Sequence, residues 1–224
     1  GNFFQQLYNT VDSYVVGNFV DTNALAAVGA STPVINMLVG FFMGLSAGAG
    51  VVISQYFGGR RKEDMSKAVH SSIALTALLS VVFTVAGMLF TKPLLRAIGV
   101  PEEVLPHSSL YLTIYFAGMT FSLFYNMGSG ILRAVGDSRH PLIYLAVASL
   151  VNIALDFLFV CGFHMGIAGV AIATIIAQAV SSAMVMYKLM HTQEDYKLEL
   201  RKIHFHKKMV KKIIAFGFPA ALQQ

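Results

Sequence analysis

Two acidic residues lie within apolar stretches that are long enough to cross a membrane. Asp12 stands in GNFFQQLYNTVDSYVVGNF and Asp156 in LIYLAVASLVNIALDFLFVCGF. A carboxylate in hydrocarbon is rarely kept unless it faces a protein interior or a watery cavity, and by default it marks an ion, proton or substrate path. No Lys or Arg lies in the interior of an apolar stretch, so neither acid has an obvious permanent positive partner. The pair therefore indicates transport that involves a mobile cation.

Further polar residues stand at helical spacing in these stretches: Tyr8 and Asn9 with Asp12, Asn152 with Asp156, Thr174 with Gln178, and Asn126 in another stretch. Residues three or four apart lie on one helix face. Carboxylate, amide and hydroxyl oxygens together suit Na⁺, while a carboxylate alone takes a proton, and burial of an acid favours its protonated form. A lone Asn or Thr also links membrane helices, contributing about 0.6 kcal/mol. Both interpretations stay open for Asn126, Thr174 and Gln178.

The apolar stretches are too numerous for a soluble protein. Of 224 residues, 56% are hydrophobic and 12% are charged, whereas a soluble domain carries roughly 25% charged residues. A core helix needs only one apolar stripe, but about 20 consecutive apolar residues span a bilayer. We therefore predict an all-α integral membrane protein.

We predict six membrane-spanning helices and the start of a seventh, at about 1–19, 25–56, 68–91, 108–132, 141–163, 167–190 and from 209. Residues 1–190 then form a six-helix transmembrane bundle, 191–208 a cytoplasmic linker between lobes, and 209–224 the start of a second lobe. Gly1 already lies inside an apolar run, and a helix has just begun where the chain stops. We therefore expect a fragment, the first half of a longer transporter.

The basic residues predict the orientation of the spans. Fourteen lie in the breaks after the second, fourth and sixth spans: Arg60, Arg61, Lys62, Lys67, Arg133, Arg139, Lys188, Lys197, Arg201, Lys202, Lys207, Lys208, Lys211 and Lys212. The opposite breaks hold only Lys92 and Arg96. Cytoplasmic loops carry the excess of Lys and Arg, so we expect a multi-pass protein of the cell membrane with a cytoplasmic amino terminus.

The net charge, the single cysteine and the glycine spacing add predictions about partners, metal sites and helix packing. The net charge of +5 follows from the same rule, which favours a lipid bilayer over nucleic acid as a partner. The segment 188–212 is either an amphipathic helix on the anionic leaflet or a solvated linker. Cys161 is the sole cysteine, and His204 and His206 do not share a helix face, so we expect no intrachain disulfide and no structural metal site. A glycine stripe predicts close helix packing: Gly40, Gly44 and Gly48.

Several motifs resemble those of one transporter family. QQLYNTVDSYVVG in the first span, ALAAVGASTPV, FGGRRKEDM after the second span and above all ILRAVGDSRHPL after the fourth are similar to signatures of the multidrug and toxic compound extrusion (MATE) transporters. Each motif alone is weak, but the combination is specific and covers essentially the whole chain.

The resemblance implies twelve helices in two six-helix lobes, with this chain as the amino-terminal lobe plus the first turns of the other. It implies secondary active antiport, in which amphipathic or cationic organic compounds are exported in exchange for H⁺ or Na⁺ by alternating access, with no other cofactor and no enzymatic activity. In relatives with a coupling site in this lobe, the ligands correspond to Asp12, Asn152, Asp156 and Thr174. We expect the substrate cavity to contain Tyr8, Asn9, Asn126 and Gln178.

Three other functions are alternatives to this one. A lipid-linked oligosaccharide flippase of the same superfamily needs a cationic cavity for a pyrophosphate headgroup, and no basic residue lies in a span interior. A membrane enzyme needs a nucleophile with its base or a metal cluster, and no such His, Cys and Asp grouping occurs at helical spacing. A membrane assembly subunit has no use for unpaired intramembrane acids. Multidrug efflux is therefore the prediction, with the flippase as its alternative.

Overall fold

The structure, a computed structural model, describes residues 2–223, with side chains throughout except those of Asn2 and Gln5. The described residues form eight α-helices: α1 (Asn2–Phe19), α2 (Thr22–Gly58), α3 (Lys62–Ala97), α4 (Leu105–Ala117), α5 (Met119–Ala134), α6 (Arg139–Asp156), α7 (Ile167–His191) and α8 (Lys207–Leu222). A π-helical turn, Phe157–Gly162, continues α6, and a 3₁₀ turn spans Leu200–Lys202. No strand occurs among the described residues, and the predicted all-α fold class is confirmed.

Among the described residues, four helical segments are long and apolar enough to cross a membrane: α2, α3, Arg139–Gly162 and α7. The helix α1 has 18 residues, among them Asp12, and α4 and α5 have 13 and 16 residues. Within the described part of the chain, length and composition therefore support four of the six predicted crossings directly.

The fourth predicted span, 108–132, is two helices instead of one. The backbone breaks at Gly118, whose N–H is bonded to the carbonyls of Ile114 and Tyr115, each at 3.2 Å. A Cβ at Gly118 would overlap the side chain of Ile175 on α7. The glycine therefore permits both the break and the close approach of α7, an effect that hydropathy does not register.

Contacts between helices divide the chain into two compact units, and each is described by itself. The first unit comprises Gly1–Asn36, Val82–Met119 and Leu145–Ser181. Its apolar core takes residues from α1, α2, α4, the π turn and α7: Val15, Val16, Ala24, Ala27, Val28, Val104, Tyr111, Val160, Ile167, Val170 and Ala171. Asp12 of α1 is buried in the same unit.

The second unit comprises Met37–Val81, Thr120–Tyr144 and Ser182–Gln224. Its core includes Ile53, Ile73 and Ile131, and it also takes in Ile213 of α8. The close packing predicted for the glycine stripe is confirmed for α2 and α8. A Cβ at Gly44 would overlap the backbone of Ala221, and one at Gly48 would overlap the backbone of Gly217.

The segment between α7 and α8 is mostly irregular. Helix α7 ends at His191, and between there and Lys207 the only helical piece is the 3₁₀ turn. The prediction of an amphipathic helix over 188–212 is therefore wrong. The solvated alternative is also incomplete, since Tyr196 and Leu198 are buried in the core of the second unit. These two side chains supply the apolar burial that holds the segment in place.

Candidate functional site

The first unit brings four of the predicted residues together. Asp12 on α1, Asn152 and Asp156 on α6, and Thr174 on α7 are all buried. The Asn152 amide donates to Oδ1 of Asp12 at 2.9 Å, and the Thr174 hydroxyl lies 3.5 Å from Oδ2. The same hydroxyl also lies 3.0 Å from the Val170 carbonyl. Because a hydroxyl carries one proton, the shorter bond to Val170 competes with the bond to Asp12.

Asp156 has no comparable set of donors. Its side chain is 0% exposed, and among the described residues no donor reaches either carboxyl oxygen. Its polar neighbour is the carboxyl of Asp12, although no hydrogen bond joins the two side chains. Two ionised carboxylates have no proton to share, so such a bond forms only when one of them is protonated. The pair is therefore a ready acceptor for one proton or one small cation.

The local helix geometry places Asp156 at a discontinuity. Helix α6 changes to a π-helical turn directly after this residue, and single π turns within helices occur frequently at functional sites. The chain then reverses at 163–166, where His164 and Gly166 have positive φ angles of 53° and 64°. This short turn, which the sequence predicted, leads directly into α7 and to Thr174.

Fixed positive charge is absent from the cluster. Within the described residues, the ion pairs join side chains at helix ends and loops: Arg61–Asp64, Lys62–Asp195, Lys67–Glu63, Arg96–Glu102, His140–Asp137 and Lys202–Glu199. None of them includes Asp12 or Asp156. A buried charge without a partner is strongly unfavourable, so the cluster requires a mobile cation whenever both acids are ionised.

Two tyrosines of α4 were not among the residues predicted from the sequence. Tyr111 is buried and lies near both acids and Tyr8, and Tyr115, also buried, lies beside the side chain of Gln178. Their four-residue spacing places both phenols on one face of α4. That spacing is the signal in the sequence that would have identified them.

The four residues predicted for a substrate cavity are distributed differently. Tyr8, Asn9 and Gln178 are half-buried in the first unit, and Oε1 of Gln178 has no donor among the described residues. Asn126 belongs to the second unit, where its amide donates to the carbonyl of Ser122 at 2.8 Å. The Asn126 amide is therefore hydrogen-bonded to the backbone of its own helix. Contact of any of the four with a substrate stays a prediction.

Comparison with known proteins gives the family. The MatE family model matches residues 1–158. The probable multidrug resistance protein YpnP of Bacillus subtilis (strain 168) is 32% identical over 224 residues, which are 100% of this chain and 50% of that protein. An FAD transporter of Shewanella oneidensis is 26% identical over 186 residues, which are 81% of this chain and 41% of that protein.

A solved structure described as MATE in the bent conformation has a TM-score of 0.92 and 30% identity to this chain, covering 99% of it and 49% of the solved chain. This chain thus spans about half the length of the relatives that it matches. The family match covers more than half of the chain, and the fold agrees with it. The chain belongs to the MATE family of multi-pass membrane transporters.

Proposed function

We propose that this chain is the amino-terminal lobe of a secondary antiporter that exports amphipathic or cationic organic compounds in exchange for H⁺ or Na⁺. The observation that carries the proposal is the pair of buried carboxyls, Asp12 and Asp156, which lie together without a basic partner among the described residues. In this function Asp12, Asn152, Asp156 and Thr174 bind the coupling ion.

The proposed mechanism is alternating access. A proton or Na⁺ that enters from outside neutralises the paired acids and favours a second packing of α1 and α6, in which the exported compound binds less tightly. Coupling requires that the two packings differ in affinity for both ligands. The π-helical turn after Asp156 supports this proposal, since such a turn is a local discontinuity at which a helix can repack.

The names of the relatives support a range of substrates. One is called a probable multidrug resistance protein and another an FAD transporter. In the first unit, Tyr8 and Tyr111 are aromatic side chains near the acids, which suits planar compounds. We propose planar amphipathic compounds as the substrate class, with cationic dyes as the first probes and FAD as the anionic comparison.

The test is counterflow in proteoliposomes that contain the full-length protein. Uptake of an ethidium-like dye is measured with an imposed proton gradient, with a sodium gradient and with neither. We expect one of the two gradients to accelerate exchange. Equal rates under all three conditions would contradict antiport, and faster exchange of FAD than of the dye would change the substrate class.

The same assay tests the acids individually. Asp156→Asn and Asp12→Asn should each reduce gradient-driven exchange to the rate of empty liposomes, because the amide neither binds a proton in this range nor carries charge. Both variants should still insert and elute as the wild type in size-exclusion chromatography. Glu102→Gln is the control, since Glu102 is an exposed acid paired with Arg96, and it should leave exchange unchanged. Undiminished exchange in Asp156→Asn would count against the site.

A further inference from the structure

A cavity lies in the second unit, where α2 ends and α3 begins. Its volume is about 390 Å³, and it is lined by Tyr56, Phe57, Gly58, Arg60, Lys62, Met65 and Asp195. The cavity combines two cations and one carboxylate with aromatic and apolar side chains. It shares no residue with the proposed coupling site.

The backbone keeps Arg60 in an unfavourable conformation. The N–H of Arg61 bonds to the carbonyl of Tyr56 at 2.9 Å and that of Arg60 to the carbonyl of Phe57 at 3.1 Å. This pair of bonds is the Schellman pattern that ends helices, and its left-handed position is usually a glycine. Here the position holds Arg60, with φ 53°, although Gly59 is adjacent in the sequence. Glycine would adopt this left-handed conformation without strain. The presence of an arginine there suggests that its side chain has a function.

The charges around the cavity favour an anionic ligand. Arg60 has no carboxylate partner among the described residues. Lys62 pairs with Asp195 at 3.1 Å, but both side chains are largely exposed, and such a pair is weak. Behind them, Lys212 donates to the Tyr56 hydroxyl at 2.8 Å. The lining therefore has excess positive charge, with one arginine available for a phosphate.

The position of the cavity along α2 identifies the kind of anion. Phe57 lies in the last turn of this apolar helix, and its side chain is 45% exposed. An exposed apolar ring in the last turn of a membrane-spanning helix is suited to contact acyl chains near the headgroups. The predicted orientation places this end of α2 at the cytoplasmic leaflet, where anionic lipids attract basic pockets.

We propose that this cavity binds the phosphate headgroup of an anionic phospholipid from the cytoplasmic leaflet. The guanidinium of Arg60 and the ammonium of Lys62 contact the phosphate, and Phe57 packs beside the acyl chains. A bound lipid of this kind fastens the end of α2 to the start of α3.

The test uses the full-length protein in detergent, titrated with dioleoylphosphatidylglycerol or with dioleoylphosphatidylcholine while the midpoint of thermal unfolding is measured. We expect phosphatidylglycerol, but not phosphatidylcholine, to raise the midpoint. Arg60→Gln should weaken the apparent affinity for phosphatidylglycerol about fivefold, which is the usual contribution of one basic residue at a membrane surface. Arg201→Gln is the matched control, since Arg201 is also an exposed arginine of the second unit but lies outside the cavity, and it should not change the affinity.

A second variant separates binding from folding. Arg60→Gly removes the side chain and also relieves the left-handed backbone, so its midpoint without lipid should equal or exceed that of the wild type, while its response to phosphatidylglycerol falls as in Arg60→Gln. Equal responses to the two lipids, or equal weakening by Arg201→Gln, would overturn the proposal. Stabilisation by inorganic phosphate alone to the same extent would assign the cavity to a free anion instead of a lipid.

Discussion

At the scale of single residues, the two intramembrane acids differ in their hydrogen bonds. Asp12 accepts a bond from Asn152 and has the Thr174 hydroxyl nearby, whereas Asp156 has no donor among the described residues. A buried hydrogen-bond acceptor without a donor destabilises the folded protein. A proton or cation therefore stabilises the site most when it binds at the oxygens of Asp156. This difference, more than the presence of two acids, supports an exchangeable ion.

Outside the spans, Asp137 allows a prediction about pH. Partial burial by itself would raise the pKa of this carboxyl, but hydrogen bonds from the ring and backbone N–H of His140 and the nearby charges of His140 and Lys188 outweigh it, so the pKa lies below its ordinary value of 3.8. A lowered folded-state pKa contributes stability that is complete above the unfolded-state value and is lost as pH falls through the folded-state value.

We therefore expect Asp137→Ala to lower the free energy of unfolding by about 1 kcal/mol at pH 7, and expect this difference to shrink as the pH falls below 3.8. Thermal unfolding of the detergent-solubilised protein at several pH values measures both effects. Asp195→Ala is the control, because the exposed pair with Lys62 should contribute less than about 0.5 kcal/mol. A difference for Asp137→Ala that does not depend on pH would contradict this account.

At the scale of helices, small residues determine which backbones meet. The close contact of α2 with α8 exists because Gly44 and Gly48 leave no side chain between the two backbones. A second contact joins a serine of α3 to the segment that follows α7. Both contacts lie in the second unit. For each contact, one helix provides both the test substitution and its control.

Gly48→Ala tests the first contact. The added methyl group would meet the backbone of Gly217 and the carbonyl of Ile213, and backbone atoms cannot move aside as a side chain does. We expect a loss of about 1–3 kcal/mol and faster amide exchange in α8. Gly29→Ala, in the same helix, meets no atom within 4 Å and should be neutral or stabilising by about 0.5–1 kcal/mol. Equal effects of the two substitutions would show that the contact does not hold α8.

Two adjacent serines of α3 test the second contact. Both are fully buried, but only Ser71 contacts the segment, since its hydroxyl donates to the carbonyl of His204 at 3.3 Å and accepts from the N–H of His206 at 3.2 Å. The hydroxyl of Ser72 donates within α3, to Ala68. Ser71→Ala should accelerate hydrogen exchange at residues 198–206, and Ser72→Ala should not. Unchanged exchange in both variants would mean that Tyr196 and Leu198 hold the segment without help from Ser71.

At the scale of the whole molecule, the distribution of basic residues predicts which ends of the helices face the cytoplasm. Single-cysteine variants test this orientation, because Cys161 is the sole cysteine of the chain and can be replaced by serine. Lys62 and Glu103 are both exposed. In cells that express the full-length protein, a membrane-impermeant maleimide should label Glu103→Cys and spare Lys62→Cys until the membrane is permeabilised. The opposite result would reverse the orientation and also remove the lipid site from the cytoplasmic leaflet.

The sequence by itself determined the all-α membrane fold and the identity of the coupling candidates. Long apolar runs, their charged interruptions and the cost of an acid in hydrocarbon are properties of composition and spacing, and they do not depend on how helices pack. For the same reason the sequence predicted that Asn152 and Asp156 share a face, because a helix fixes residues four apart.

The tertiary structure determined which residues of different helices and loops contact each other. It joined Asp12 to Asn152, 140 residues later, divided the fourth span at Gly118, and buried Tyr196 and Leu198 in the segment between α7 and α8. It also placed Asn126 in the second unit, with its amide bonded to the carbonyl of Ser122. These outcomes depend on which helices are neighbours and on close contacts at single glycines. Periodicity along one helix contains no information about either.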